Sequence, residues 1–166
     1  MDGSPSGRWL WLIVAVLLAD RGMKYAIERS TAEGFRRELV PGVAWLVHST
    51  NPGIAFGLFA GSSSHWISIV LIAIAASVVF FLAWLLASGH AGGTPTQIGI
   101  ALIAGGAAGN LLDRIVHNGV TDFLELHVGR LEWPAFNLAD AAITIGAFFV
   151  LYEVLRGTRQ PSGESV

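Results

Sequence analysis

Four apolar stretches constrain this chain more than anything else in it: Trp9 to Ile27, Trp66 to Ala87, Thr96 to Leu112 and Leu138 to Leu155. Each is near the ~20 helical residues needed to cross ~30 Å of hydrocarbon. The second carries no charge at all. The third holds Gly99, Gly105, Gly106 and Gly109, and small residues let helix backbones approach closely in lipid, so it is expected at the centre of the packing. Composition agrees. Of 166 residues, 53% are hydrophobic and only 13% charged, with a mean hydropathy of +0.59, whereas a soluble domain carries about 25% charge. The chain reads as one integral membrane domain over residues 1–166, ending in a polar tail from 157.

Several function classes fall away. With no cysteine, disulfides, thiolate metal sites and a cysteine nucleophile are excluded. A net charge of −2 without a basic patch gives no footprint for nucleic acid. Arg8 and the run from Trp9 to Ala19 loosely fit a cleaved signal peptide, but apolar character resumes at Met23, Tyr25, Ala26 and Ile27, which argues for a retained span.

Four spans place both termini on one side. The C-terminal ends of the first and third spans and the N-terminal end of the fourth then meet on the other side. Those ends carry Asp20 and Lys24, then Asn110, Asp113 and Arg114, then Asn137 and Asp140. Polar residues at span ends therefore converge on one face. Charge leaves that face unassigned. Arg8, Arg156 and Arg159 flank the terminal side, and Arg29, Arg36, Arg37 and Arg130 the other, so a literal positive-inside count puts the termini outside. The Arg36-Arg37 pair is partly offset by Glu33 and Glu38 and belongs to a loop that reads as structured.

On the polar face, residues 28–65 are long for a helical hairpin and predict structure of their own. Val43 to Val47 is strand-like, Asn51-Pro52-Gly53 is a turn, and Ile54 to Gly57 follows as a short apolar piece. Leu124, Leu126 and Val128 alternate with Glu125 and His127, which predicts an amphipathic strand ending at a Gly129 turn. A small sheet lying against the membrane surface is expected.

Two aspartates carry the candidate chemistry. Asp122 follows the third span and opens a strand, where Asp is disfavoured. Asp140 lies just inside the fourth span, and an ionisable group there reads as functional by default. Helix capping is the plain alternative for Asp140, although Asn137 already stands as a natural N-cap. Two close carboxylates cannot easily both ionise, so they share a proton and can hydrolyse a bond by general acid–base catalysis. Asp20 and Lys24 are spaced i, i+4 and can pair, as can Asn110 and Arg114. Arg114 is suited to bidentate clamping, and Asp113 points to a different partner. The five histidines lack H-E-x-x-H spacing, and there is no G-x-S-x-G elbow. A Ser–Lys dyad of Ser62, Ser63 or Ser64 with Lys24 stays open as an enzyme alternative. A small transporter or assembly factor using the buried charges as an ion path is the non-enzyme alternative.

Four blocks in order on these span ends carry a resemblance: Asp20-Arg21-Gly22-Met23-Lys24, Asn51-Pro52-Gly53-Ile54-Ala55-Phe56-Gly57, residues Gly105 to Arg114, and Val120-Thr121-Asp122-Phe123 with Phe136-Asn137-Leu138-Ala139-Asp140. Over about residues 9–156 the chain resembles the lipoprotein signal peptidases (signal peptidase II), bacterial membrane aspartyl peptidases. The resemblance implies a four-helix transmembrane bundle with cytoplasmic termini, in the cytoplasmic (inner) membrane. It also implies a small periplasmic β-cradle and a periplasmic loop over the active site. The implied substrate is a diacylglyceryl-modified prolipoprotein, cut N-terminal to the lipidated cysteine, with no cofactor or metal, by a monomer. Asp122 and Asp140 would be the catalytic dyad. Asn51, Gly53, Asn110, Arg114 and Asn137 would hold the dyad or substrate, and Asp20, Lys24 and Asp113 would support them. Two positions depart from the family pattern: Arg21 stands where glutamine is expected, and Pro52 stiffens its turn.

Overall fold

The computed structural model describes residues 6–53 and 65–157. The chain runs α1 (Ser6–Ser30), β1 (Arg36–Val40), β2 (Ala44–Asn51), α2 (His65–Ala87), α3 (Thr94–His117), β3 (Val120–Val128), β4 (Leu131–Phe136) and α4 (Leu138–Gly157). The four strands form one antiparallel sheet in the order β1-β2-β3-β4. Of the expected strands, the alternating segment is β3, although it begins earlier, at Val120. Of the strand-like Val43–Val47, all but Val43 form the first half of β2, which continues to Asn51. The Gly129 turn is present, with Gly129 at φ 64° and Val128 paired to Leu131 across it. The apolar piece Ile54–Gly57, the serines Ser62–Ser64 and the expected covering loop lie outside the described residues.

Helix α3 is the hub, packing on α4 most extensively and then on α1 and α2. Glycine makes this possible. A Cβ on Gly99 or on Gly146 of α4 would come within 2.5 Å of the other's carbonyl oxygen, so the two backbones touch where neither residue has a side chain. Helix α3 runs five residues past the expected Leu112 and closes on Asn118. That residue adopts the left-handed conformation (φ 56°), and its N–H donates to the Arg114 carbonyl.

Among the described residues, three helical segments are long and apolar enough to cross a membrane: Ser68–Ala87, Thr94–His117 and Leu138–Arg156. Helix α1 is long enough but carries Asp20, Arg21, Lys24 and Glu28 in its second half. The pattern of burial is the reverse of a soluble protein's. Trp11, Trp66, Phe80 and Phe148 are mostly exposed, while Asp20, Lys24, Asp113 and Asn137 are completely buried. An apolar exterior around a polar interior is stable when hydrocarbon is the solvent.

Candidate active site

The span-end clusters meet where the sequence places them together, at the junction of the bundle with the sheet. Asp20 and Lys24 pair along α1 at 2.7 Å, and the Lys24 ammonium also lies 2.8 Å from Asp113 Oδ2 on α3. All three side chains are sealed from solvent. Gly109 of α3 leaves the space this requires, because a Cβ there would lie 2.6 Å from Asp20 Oδ2. Asp113 also takes a guanidinium N–H of Arg21 at 2.7 Å, and Arg21 in turn pairs with Glu28. With its ammonium committed to Asp20, Asp113 and the Asn110 side chain, Lys24 is not placed to serve as the base of a serine nucleophile.

Asn110 carries this ionic core outward. Its Oδ1 accepts from Lys24 at 2.9 Å, so its amide nitrogen faces the other way and donates to Asp140 Oδ1 at 2.8 Å. The N-terminus of α4 is fixed twice over. The Ala139 N–H donates to Asp20 Oδ1 at 2.9 Å. Asn137 and Asp140 form a reciprocal capping box: Asn137 Oδ1 accepts the Asp140 N–H at 2.9 Å, and Asp140 Oδ2 accepts the Asn137 N–H at 3.3 Å. The expectation that Asn137 makes Asp140 unnecessary to the cap is therefore corrected. Asp140 closes the box with one oxygen and turns the other to Asn110.

Asn137 also joins the two aspartates. Its Nδ2 donates to Asp122 Oδ1 at 2.7 Å. Asp122 is 3% exposed, opposite Ser49 in the sheet. Burial, and secondarily the charge of Asp140, push its carboxyl up to about 7, against the hydrogen bonds from Asn137 and Asn51 and the charge of Lys24.

Both aspartates open onto a cleft of about 460 Å³. Asn51, Asn110 and Arg114 supply its polar wall; Trp133, Pro134, Phe136 and Ile143 supply an apolar one. Gly53 contributes its backbone: its N–H donates to Asn51 Oδ1 at 3.0 Å, and its carbonyl accepts from Arg114 Nη2 at 3.0 Å. The second Arg114 terminal nitrogen donates to the Asn110 carbonyl at 3.2 Å. Arg114 Nε is buried and has no protein acceptor among the described residues. Asp20, Lys24 and Asp113 do not line the cleft; they lie beneath it. Sequence reasoning missed the apolar wall, whose signal was the Trp133-Pro134 pair, and it missed Glu28 and Thr121. No three His, Asp or Glu side chains converge in a metal-holding group among the described residues.

The family model described as signal peptidase (SPase) II matches residues 12–156. The chain belongs to the signal peptidase II family. A protein of Solibacter usitatus named lipoprotein signal peptidase is 37% identical over 163 residues, covering 97% of this chain and 99% of its own. A protein of the same name from Burkholderia thailandensis is 37% identical over 158 residues, covering 95% and 93%. A solved bacterial membrane enzyme superposes with a TM-score of 0.84 at 25% identity, covering 96% of this chain and 94% of its own. Signal peptidase II membership fits both the apolar helices and a polar cleft at their end.

Proposed function

We propose that this chain is an aspartyl endopeptidase that removes signal peptides from diacylglyceryl-modified prolipoproteins, cutting N-terminal to the lipidated cysteine. The observation that carries the reading is the pair Asp122 and Asp140 on one cleft, bridged by Asn137, within a chain of the signal peptidase II family. In this reading all four helices cross the bacterial inner membrane with cytoplasmic termini, and the cleft lies near the periplasmic face. There α1 crosses with its charges turned into the bundle. The site is assembled from a single chain, so a monomer suffices.

Asp122, raised to about 7, holds the shared proton. Asp140 takes a proton from water, and the water oxygen attacks the scissile carbonyl carbon. The carbonyl electron pair moves onto oxygen, which takes the proton of Asp122. In the second step the C–N bond breaks and the departing nitrogen takes the proton from Asp140. A hydroxyl of the tetrahedral carbon returns its proton to Asp122, leaving a carboxylic acid and a free amine. The Nε of Arg114, which has no acceptor among the described residues, is available to a carbonyl of the bound peptide. The apolar wall receives the side chains preceding the cut, and the acyl chains stay in lipid.

Purified protein supplied with a diacylglyceryl prolipoprotein should release a product whose new N-terminus is the lipidated cysteine, read by mass spectrometry. The same precursor without lipid should stay intact. Equal cutting of both precursors would overturn the substrate assignment.

A further inference from the structure

Thr121, the residue before Asp122, is held at every polar group it has. Its N–H donates to Asp113 Oδ2 at 3.3 Å, its hydroxyl donates to Glu28 Oε1 at 2.8 Å, and its carbonyl accepts from Asn137 Nδ2 at 3.4 Å. The two carboxylates come from different helices, Glu28 from α1 and Asp113 from α3. Arg21 clamps them together by pairing with both. Thr121 itself is 4% exposed, whereas the Arg21 and Glu28 side chains are about a quarter exposed, at 24% and 23%. None of these three residues lines the cleft.

We propose that Arg21, Glu28 and Thr121 are positioning residues: a strut from α1 to β3 that sets where the Asp122 carboxylate stands relative to Asp140. The inference rests on the dyad reading above. Just past Asp122 the pairing of β3 with β2 shifts register, between Leu46 and Ser49, whereas Thr121 and Asp122 themselves lie opposite Thr50 and Ser49. A bulge re-aims side chains, and the strut adds a tie from α1 that the sheet does not supply. A guanidinium can bridge two carboxylates at once, and Arg21 does so here, between Glu28 and Asp113.

The test compares steady-state cleavage of the lipidated precursor by wild type, Asp122→Asn, Thr121→Val, Thr121→Ser, Glu28→Ala and the double variant Thr121→Val with Glu28→Ala. Melting temperature is followed in parallel. Misplacing a reacting group by about 1 Å can cost up to ~100-fold, so Thr121→Val should lose about 10-fold or more in kcat with KM within about twofold. Thr121→Ser, which keeps the hydroxyl, should recover most of that loss, and the double variant should be no slower than Thr121→Val, since both break one link. Wild-type kcat in Thr121→Val, equal losses in the Ser and Val variants, or additive losses in the double variant would each overturn the strut. Should Thr121→Val fail to fold, Glu28→Ala decides by the same split: lower kcat at constant KM supports the strut, and wild-type kcat overturns it. A wild type that does not cut, or an Asp122→Asn that does, overturns the dyad reading and the strut together; failure in the strut variants alone leaves the dyad reading standing.

Discussion

Asp122 carries an ionisable group into a place where a strand would ordinarily hold an apolar one, and its behaviour with pH follows. Its carboxyl has an ordinary value of 3.8 in the unfolded chain and about 7 in the folded one. Between those values the folded protein keeps a proton the unfolded chain has lost. The contribution of this group to stability is therefore fully present below about pH 4 and falls until about pH 7. The wild-type melting temperature should drop between about pH 4 and pH 7, and Asp122→Asn should flatten that drop and melt higher than wild type at the alkaline end. Thermal unfolding in detergent across that range checks both. On the dyad reading, catalysis should fall as pH rises through about 7, where Asp122 loses the proton it would donate. An alkaline limb near 7 in the rate profile is the expected outcome. At this scale much was legible. Asp122 and Asp140 stand out in sequence because a carboxylate beside an apolar run is costly. Thr121 does not stand out, because a threonine in a strand is ordinary and only the fold brings Glu28, Asp113 and Asn137 to it.

The elements were legible where their pattern is strong. Helix α2 holds no Asp, Glu, Lys or Arg and falls within a residue of its expected bounds. Strands β1 and β4 were not foreseen. Strand β1 reads Arg-Arg-Glu-Leu-Val and is exposed along its length, so it has no buried face to impose alternation. Strand β4 contains Pro134, which would argue against a strand in mid-sheet but is tolerated here because β4 is an edge. The glycines of α3 were legible as packing residues, but not what each one accommodates. Gly109 makes room for a buried carboxylate rather than for a backbone, so Gly109→Ala pushes Asp20 off its ion pair. Overpacking of this kind costs about 1–3 kcal/mol. The Gly109→Ala variant should melt several degrees lower and lose activity, whereas Gly22→Ala, with nothing within 4 Å of the added carbon, should behave as wild type in the same melts.

At the scale of the whole molecule, the polar interior is organised around one lysine. Lys24 is the chain's single lysine, and it stands between Asp20 and Asp113 with all three buried. Removing one partner of such a group leaves an uncompensated charge and costs about 3–5 kcal/mol. Lys24→Met should destabilise the fold by that order and so lower the yield of folded protein and its melting temperature. Adding Asp20→Asn should restore part of the loss, which size-exclusion profiles and melts would report. The convergence of α1, α3 and α4 at one end was legible, because alternation of spans dictates it. Helix α1, expected as the first span, carries Asp20, Arg21, Lys24 and Glu28 in its second half and is not among the three described helices apolar enough to cross a membrane. The cleft's apolar wall was not legible, because most of it is built by an edge strand that lacks a strand's sequence pattern.

The central claim is that two aspartates together activate water, and single-residue replacement tests it most directly. Cleavage of a diacylglyceryl prolipoprotein should be measured for wild type, Asp122→Asn and Asp140→Asn, all with a chelator present and all verified as folded by their melts. The account predicts that wild type cuts undiminished and that each variant loses at least about 1,000-fold, because the two carboxylates act as a unit. Near-normal cleavage by either variant, or loss of wild-type cleavage to the chelator, would contradict it.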